Sequence, residues 1–591
     1  MDHYGFYTGK IFDAYEYLGA HIEGQGVTFR TFAPAAGRVS LIGEFSAWRE
    51  VPMDRDYDGN FWSCHVEGAA AGMMYKYRVY DGSGGFTDHC DPYGFGMELR
   101  PNSASIVRAL HAYQFSDGEW MRARSDCKNG PLNIYEIHFG SFRKPGEAAD
   151  AWYRYDELAP ILIPYLKEFG YNYVEIMPLT EYPCDESWGY QVTGFFSPTA
   201  RYGAADQLRA FVDACHQNGI GVIMDFVPVH FAIDGYGLAR YDGTALYEYP
   251  NSAVGESEWG SCNFMHSRGE VRSFLQSCAN YWLEEFHFDG LRLDAISRAI
   301  YWQGDPARGV NGSAVEFLRH MNRGLKALHP TAILAAEDST AFPGVTAPAD
   351  EGGLGFDYKW DMGWMNDTLN YFRTPPELRA DAYHKLTFSM MYYYDANHLL
   401  PLSHDETVHG KASVFQKMAG EYEEKHAQLR AFYMYMYAHP GKKLNFMGNE
   451  FAQVREWDEK REQDWDLLRY PLHDAFHRFM ELLNHLYLEH PALWAGDYDR
   501  DGFRWIDCHQ EDKCVYAFER LGGRERLAVV FNFSDREQTF RLRLENAQKY
   551  RVLLDSNAAY RETGATGDLP LGADGAELRL KPYTGIYYLV E

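Results

Sequence analysis

The distribution of apolar positions changes twice along the 591 residues. Near the start, Val27-Thr-Phe-Arg-Thr-Phe32 and Tyr75-Lys-Tyr-Arg-Val-Tyr80 alternate apolar and polar side chains. Successive strand residues face opposite ways, so this period of two marks half-buried strands. Similar short runs recur between Gly, Asp and Pro breaks, predicting an N-terminal β-sandwich over residues 1–115.

From about residue 133 short apolar runs alternate with helix-period segments. The strand candidates are Asn133–Phe139, Tyr173–Met177, Ile220–Val227, Gly290–Ile296, Ile333–Glu337, Phe356–Trp360, Leu399–Ser403 and Lys443–Met447. Between them, Leu208, Phe211, Val212 and Cys215 recur at i, i+3, i+4, i+7, with Gly219 as a stop signal. Val271, Phe274, Leu275, Cys278 and Trp282 repeat that spacing, as do Phe317, Leu318, Met321, Leu325 and Leu328. A first helix from Leu158 to Phe169 contains Pro164, which should kink it. Eight strands with intervening helices predict a multidomain α/β protein with a central (β/α)8 TIM barrel, assigned to residues 116–494. An open doubly wound sheet is the alternative, and no Gly-x-Gly-x-x-Gly turn follows the first strand to support it. A helix over Asp474–Leu488 closes the region. Strand-like runs then return, giving a C-terminal all-β sandwich domain over 495–591.

Composition narrows the function. The formal net charge of −28 lacks the basic footprint of a nucleic-acid partner, whereas a neutral substrate is compatible with it. Nine scattered cysteines (64, 90, 127, 184, 215, 262, 278, 508 and 514) have neither metal-ligand nor redox spacing, and read as free thiols of a reducing cytosol. No signal peptide and no apolar run of the roughly 18–20 residues needed for a membrane span is evident. The expectation is a cytoplasmic chain without membrane or nucleic-acid partners; its oligomeric state is left open. Aromatic residues reach 16%, enough for a large core and for sugar-stacking platforms alike. Trp48 and Trp62 are candidates for either.

In a (β/α)8 barrel the chemistry sits at the C-terminal strand ends. Four of them carry ionisable residues here: Asp225-Phe-Val-Pro-Val-His230, Gly290-Leu-Arg-Leu-Asp294, Ala335-Ala-Glu337-Asp338 and Ser403-His404-Asp405-Glu406. Arg292 and Asp294 are two apart on one strand and share a face. The guanidinium favours the charged carboxylate, whereas a carboxyl crowded by others, such as Glu337, should hold its proton more tightly. Retaining glycoside cleavage needs a nucleophile and an acid/base about 5–5.5 Å apart, which is roughly the spacing of adjacent strands. Arg292 and Asp294 alone could be a structural ion pair, and Glu337 alone a solvated strand end; the coincidence of four strand ends favours chemistry. Clustered Asp and His also suit metals, but Arg292 opposes a cation beside Asp294, so no metal and no cofactor is expected.

At these residues the sequence resembles the α-amylase superfamily of glycoside hydrolases and transferases, whose four signature regions the strand ends match in order. Longer segments resemble the glycogen (1,4-α-glucan) branching enzymes: Ser187-Trp-Gly-Tyr-Gln191, Thr193-Gly-Phe-Phe-Ser-Pro-Thr199, Gly355-Phe-Asp-Tyr-Lys-Trp360, Leu402-Ser-His-Asp-Glu-Thr-Val-His-Gly-Lys411 and Phe446-Met-Gly-Asn-Glu-Phe451. Gly43-Glu-Phe-Ser-Ala-Trp48 and Asp91-Pro-Tyr93 resemble that family's starch-binding-like N-terminal sandwich. The resemblance implies Asp294 as nucleophile, Glu337 as general acid/base and Asp405 as transition-state stabiliser. Tyr190, Asp225, His230, Arg292 and His404 would then surround the sugar being cleaved, with Tyr190 stacked on it. The implied function is a retaining glucanotransferase that moves α-1,4-glucan chains of glycogen, amylose or malto-oligosaccharide onto a 6-hydroxyl. The alternatives are an α-glucan hydrolase of amylase or debranching type and a non-catalytic glucan-binding protein. Two departures stand out. The stretch Ala299–Gly312 is short and lacks the family's usual Tyr-Ser-Arg. Val229 occupies the position where many amylases place an Asn calcium ligand, and its side chain has no oxygen to offer.

Overall fold

The computed structural model describes residues 1–124, 130–557 and 575–591, with the backbone of 568–569. Eight parallel strands close a barrel in chain order: β1 (Asn133–Ile137), β2 (Tyr173–Ile176), β3 (Gly221–Phe226), β4 (Gly290–Leu293), β5 (Ile333–Ala336), β6 (Tyr358–Trp360), β7 (His398–Leu402) and β8 (Lys442–Phe446). The closed ring replaces the open-sheet alternative. Most strands end one to three residues before the apolar run does. Asp294 and Glu337 therefore stand one residue past β4 and β5, and Asp405 three past β7. By packing, the chain divides into two compact units. One comprises Met1–Arg124, His138–Ile163 and Glu175–Phe356; the other comprises Ser125–Ile137, Pro164–Val174 and Asp357–Glu591.

In the first unit, a four-stranded and a five-stranded antiparallel sheet occupy the segment from Gly19 to Ile106. Met74–Tyr80 alternates as its sequence does, with Tyr75, Tyr77 and Val79 buried. Gly26–Phe32 does not: Thr28 and Thr31 are buried too, and the Thr31 hydroxyl meets Tyr241 OH at 2.6 Å. Thr31 shares its face with Val27 and Phe29, while on the other face Phe32 packs against Phe6, ring centroids 5.1 Å apart, and Arg30 lies over the Tyr17 ring. Trp62 is a core residue whose indole N–H donates to the Ala33 carbonyl, whereas Trp48 is exposed.

Helix α1 (Tyr155–Glu168) runs through Pro164 without a break. Helices α2 (Ala205–Gln217), α3 (Gly269–Glu285) and α4 (Gly312–Leu328) bury the apolar stripes read above. The exception is Leu328, 52% exposed at the last residue of α4, where the stripe has run past the core. Gly219, at φ +75°, ends α2: its N–H donates to the His216 carbonyl and that of Ile220 to Cys215.

In the second unit, α5 (Met362–Arg373), α6 (Tyr422–Ala438) and α7 (Pro471–Glu489) share one hydrophobic core with strands Val515–Gly522, Glu525–Asn532 and Thr584–Val590. These strands belong to a six-stranded sheet, and a two-stranded sheet pairs Gln538–Leu542 with Ala576–Leu580. Two buried arginines fasten the sheet to the helices: Arg379 donates to the Phe533 carbonyl and Arg520 to that of Ala438. None of the eight described cysteines is in a disulfide; Cys127 lies outside the described residues. Among the described residues, no helix is long and apolar enough to cross a membrane.

Candidate active site

Strand register builds the centre of the site. Asp225 on β3 pairs with Arg292 on β4, which pairs with Ala335 on β5. The ladder continues one residue further: Asp294 N–H donates to the Phe226 carbonyl at 2.9 Å and Glu337 N–H to that of Leu293 at 3.1 Å. Two carboxylates 43 positions apart in sequence thus emerge side by side from adjacent strands. The chain turns sharply just after the first of them, with Ala295 at φ +48°. Such a left-handed non-glycine residue stores strain, which the surrounding contacts must hold.

The Arg292 guanidinium, fully buried, serves three carboxylates. Nη1 donates to Asp225 Oδ2 at 2.8 Å and to Asp294 Oδ1 at 3.1 Å; Nη2 donates to Glu337 Oε2 at 2.6 Å. The same Glu337 oxygen accepts the Ala295 N–H at 3.1 Å. Tyr190 OH donates to Asp225 Oδ2 at 2.5 Å, so the ring that resemblance places against a sugar is anchored by its hydroxyl. The Asp294 side chain keeps 13% of its surface open and that of Glu337 22%, so neither is sealed from solvent.

Burial and the charge of Glu337 push the Asp294 carboxyl well above the ordinary carboxylate range, against the downward pull of Arg292. This corrects the expectation that Arg292 keeps Asp294 ionised in the resting site: one cation among three carboxylates does not offset burial, and a hydrogen bond to Glu337 adds to the upward push. His230 stands on the other side, its Nε2 3.9 Å from Asp294 Oδ2. Burial pulls its imidazole down to about 4, so it is neutral at pH 7. Its Nδ1 meets Ser261 Oγ at 3.0 Å.

His404 and Asp405, in the second unit, have their own setting. Glu136, near the end of β1, accepts both the His404 backbone N–H, at 2.9 Å, and its ring Nδ1, at 2.6 Å. A fully buried carboxylate thereby holds the residue at two points, its backbone and its ring. Asp405 is half exposed, with Lys411 Nζ 3.5 Å from Oδ2. The neighbouring acids have structural partners. Asp338 accepts the N–H and hydroxyl of Thr340, and Glu406 faces Lys411 and Lys417.

Sequence reasoning missed Glu136 and Ser261. Glu136 had a signal, a lone acid inside the apolar run Asn133-Ile-Tyr-Glu-Ile137. Ser261 had none, since only the fold of its loop brings it to His230.

Residues 17–94 match the family model of carbohydrate-binding module 48 (isoamylase N-terminal domain). Residues 162–237 match the alpha amylase catalytic domain, and residues 505–591 the alpha amylase C-terminal all-beta domain. The chain is 43% identical over 579 residues to the 1,4-alpha-glucan branching enzyme GlgB of Bacillus caldolyticus, spanning 96% of this chain and 86% of that relative. It is 42% identical over 618 residues to the GlgB of Nitrosomonas eutropha, spanning 99% and 84%. Among solved structures, a pullulanase from Bacillus acidopullulyticus has a TM-score of 0.73 at 16% identity, over 97% of this chain and 74% of that one. A pullulanase from Anoxybacillus sp. LM18-11, complexed with maltotetraose, has a TM-score of 0.73 at 16% identity, over 100% and 89%. At that identity the structural likeness shows the fold alone.

Proposed function

The chain belongs to the family of 1,4-alpha-glucan branching enzymes, and on that premise we propose how its own side chains divide the work. The enzyme is a glucanotransferase: it cleaves an α-1,4-glucan chain and transfers the released segment to a 6-hydroxyl, forming an α-1,6 branch. Asp294 is the nucleophile. Its carboxylate oxygen attacks the anomeric carbon while the bond from that carbon to the leaving 4-oxygen breaks, and Glu337 gives that oxygen its proton. The product is a glycosyl ester on Asp294 with inverted configuration. In the second step the acceptor 6-hydroxyl attacks the same carbon, Glu337 takes the hydroxyl proton, and the Asp294 ester bond breaks. Two inversions leave the α-configuration.

The observation that carries this reading is the Arg292 fork, with Asp294 on one nitrogen and Glu337 on the other. The fork holds the pair in place. Arg292 also faces the negative charge that Glu337 acquires on giving up its proton to the leaving oxygen. Asp225 and Tyr190 brace the guanidinium from the β3 side, and neutral His230 offers a hydrogen bond to the sugar without adding charge. Asp405 is proposed as the third carboxylate, stabilising the positive charge that builds on the sugar, by its place after β7. His404, held by Glu136, is proposed as a donor to the same sugar.

The proposed division of the chain is a β-sandwich over 1–115, the barrel with this chemistry over 116–494, and an all-β domain over 495–591. Water competes with the acceptor hydroxyl in the second step. Incubation with amylose should therefore lower the iodine colour with little rise in reducing ends. A rise matching the colour loss would make the enzyme a hydrolase.

A further inference from the structure

Trp259 lies in the loop between β3 and α3 and is 43% exposed, an unusual placement for a tryptophan with so many anchors. Its ring centroid is 5.0 Å from that of His230, with the planes tilted by 42°. A run of hydroxyls ties the two residues together. His230 Nδ1 meets Ser261 Oγ at 3.0 Å, Ser261 Oγ meets Ser257 Oγ at 2.5 Å, and Ser257 Oγ accepts the Trp259 N–H at 3.2 Å. From outside, the Gln191 side chain donates to the Trp259 carbonyl at 3.0 Å. The Arg298 guanidinium lies 5.2 Å from the ring centroid and pairs with Glu258. Arg298 follows Asp294 by four residues, so the nucleophile's own loop braces the indole.

The loop thus holds a partly exposed indole beside His230, whose Nε2 is 3.9 Å from Asp294 Oδ2. A flat apolar ring with a polar edge matches the C–H face of a pyranose, which also carries hydroxyls at its rim. The strand order says which sugar. Glu337, which protonates the leaving oxygen, is on the β5 side of Asp294, whereas His230 and the Trp259 loop are on the β3 side. We propose that Trp259 is a specificity-determining residue: its indole stacks on a glucosyl ring of the donor segment, the part retained on the enzyme after cleavage. This inference rests on Asp294 being the nucleophile.

The test is steady-state kinetics on amylose for Trp259→Ala, Trp259→Leu and Trp259→Phe, with melting temperatures measured alongside. Loss of the flat face should raise KM roughly 10-fold in the Ala and Leu variants, with kcat nearly unchanged and Phe restoring most of the affinity. The number of branches formed per new reducing end should stay at the wild-type value, because the acceptor is not touched. Leu keeps the apolar bulk, so it decides the matter if the Ala variant melts early. An unchanged KM in a folded Leu variant would overturn the proposal. So would a fall in kcat at constant KM, which would make Trp259 only a support for His230. Asp294→Asn, assayed in parallel, separates the two claims: turnover retained there removes the nucleophile assignment whatever Trp259 does.

Discussion

Strand β4 carries an aspartate at each end, both buried, and the two are held in opposite electrostatic states. Asp289 precedes the strand. Its carboxylate accepts from His216 Nε2 at 2.8 Å, the Val222 N–H at 2.7 Å, Trp120 Nε1 at 2.8 Å and Arg124 Nη1 at 3.0 Å. Burial pushes it up, but His216 and then Arg124 outweigh burial and hold it below the ordinary range. Burial pulls His216 down, and Asp289 with Asp117 overcomes this and raises it to about 9. Asp294 follows the strand. It shares one guanidinium with Asp225 and Glu337, and its carboxyl is pushed up. Two cations attend two aspartates at one end; one cation attends three carboxylates at the other. The difference is what a barrel needs, stability at the N-terminal face and a reactive, poorly compensated group at the C-terminal face.

Substitution at each end should separate these roles. The largest effect belongs to Asp294→Asn, which should lower the rate of iodine-colour loss on amylose by about 10^4-fold or more. Its melting temperature at pH 7 should hold or rise. A carboxyl raised in the folded state takes stability away as pH climbs past the ordinary carboxylate range, and the amide relieves that. A variant that stayed active and melted lower would break the comparison. Glu337→Gln should lose roughly 10^2- to 10^4-fold in kcat, because the proton transfer in both steps is gone. Asp289→Asn should do the reverse. Unfolding in denaturant should show a loss of about 3–5 kcal/mol, since Arg124 would lose its buried anion and His216 one of its two. The turnover of the folded fraction should be unchanged.

The smallest effect is a pH profile. The raised imidazole of His216 stabilises the fold fully below pH 6.5, its ordinary value, and that contribution fades as pH rises through about 9. His216→Gln should lower the unfolding free energy by about 3 kcal/mol at pH 6 and much less at pH 10. A uniform loss at both values would mean packing, not charge, holds the lower cluster.

The barrel was legible because its strands are short apolar runs and its helices keep a clean period; Phe211, Phe274 and Phe317 are all buried. Alternation misread Val27–Phe32, where Phe6 and Tyr17 of the N-terminal segment cover the second face. Arg292 and Asp294 were legible as a same-face pair, because a period of two fixes that locally. The upward push on the Asp294 carboxyl was not, because it depends on burial and on Glu337, which only the register of β4 and β5 brings in. The lower cluster escaped for the same reason: Asp117, His216 and Asp289 lie far apart in the chain, and no motif joins them.

Trapping the glycosyl-enzyme tests the nucleophile directly. A maltosyl fluoride needs no proton to expel its leaving group, so Glu337→Gln should complete the first step. It should then stall, for want of the base that activates the acceptor. Mass spectrometry of the digested protein should place the maltosyl group on the peptide containing Asp294. A label on any other carboxylate, or fluoride release as a burst without a covalent adduct, would contradict the assignment of the two ends of β4.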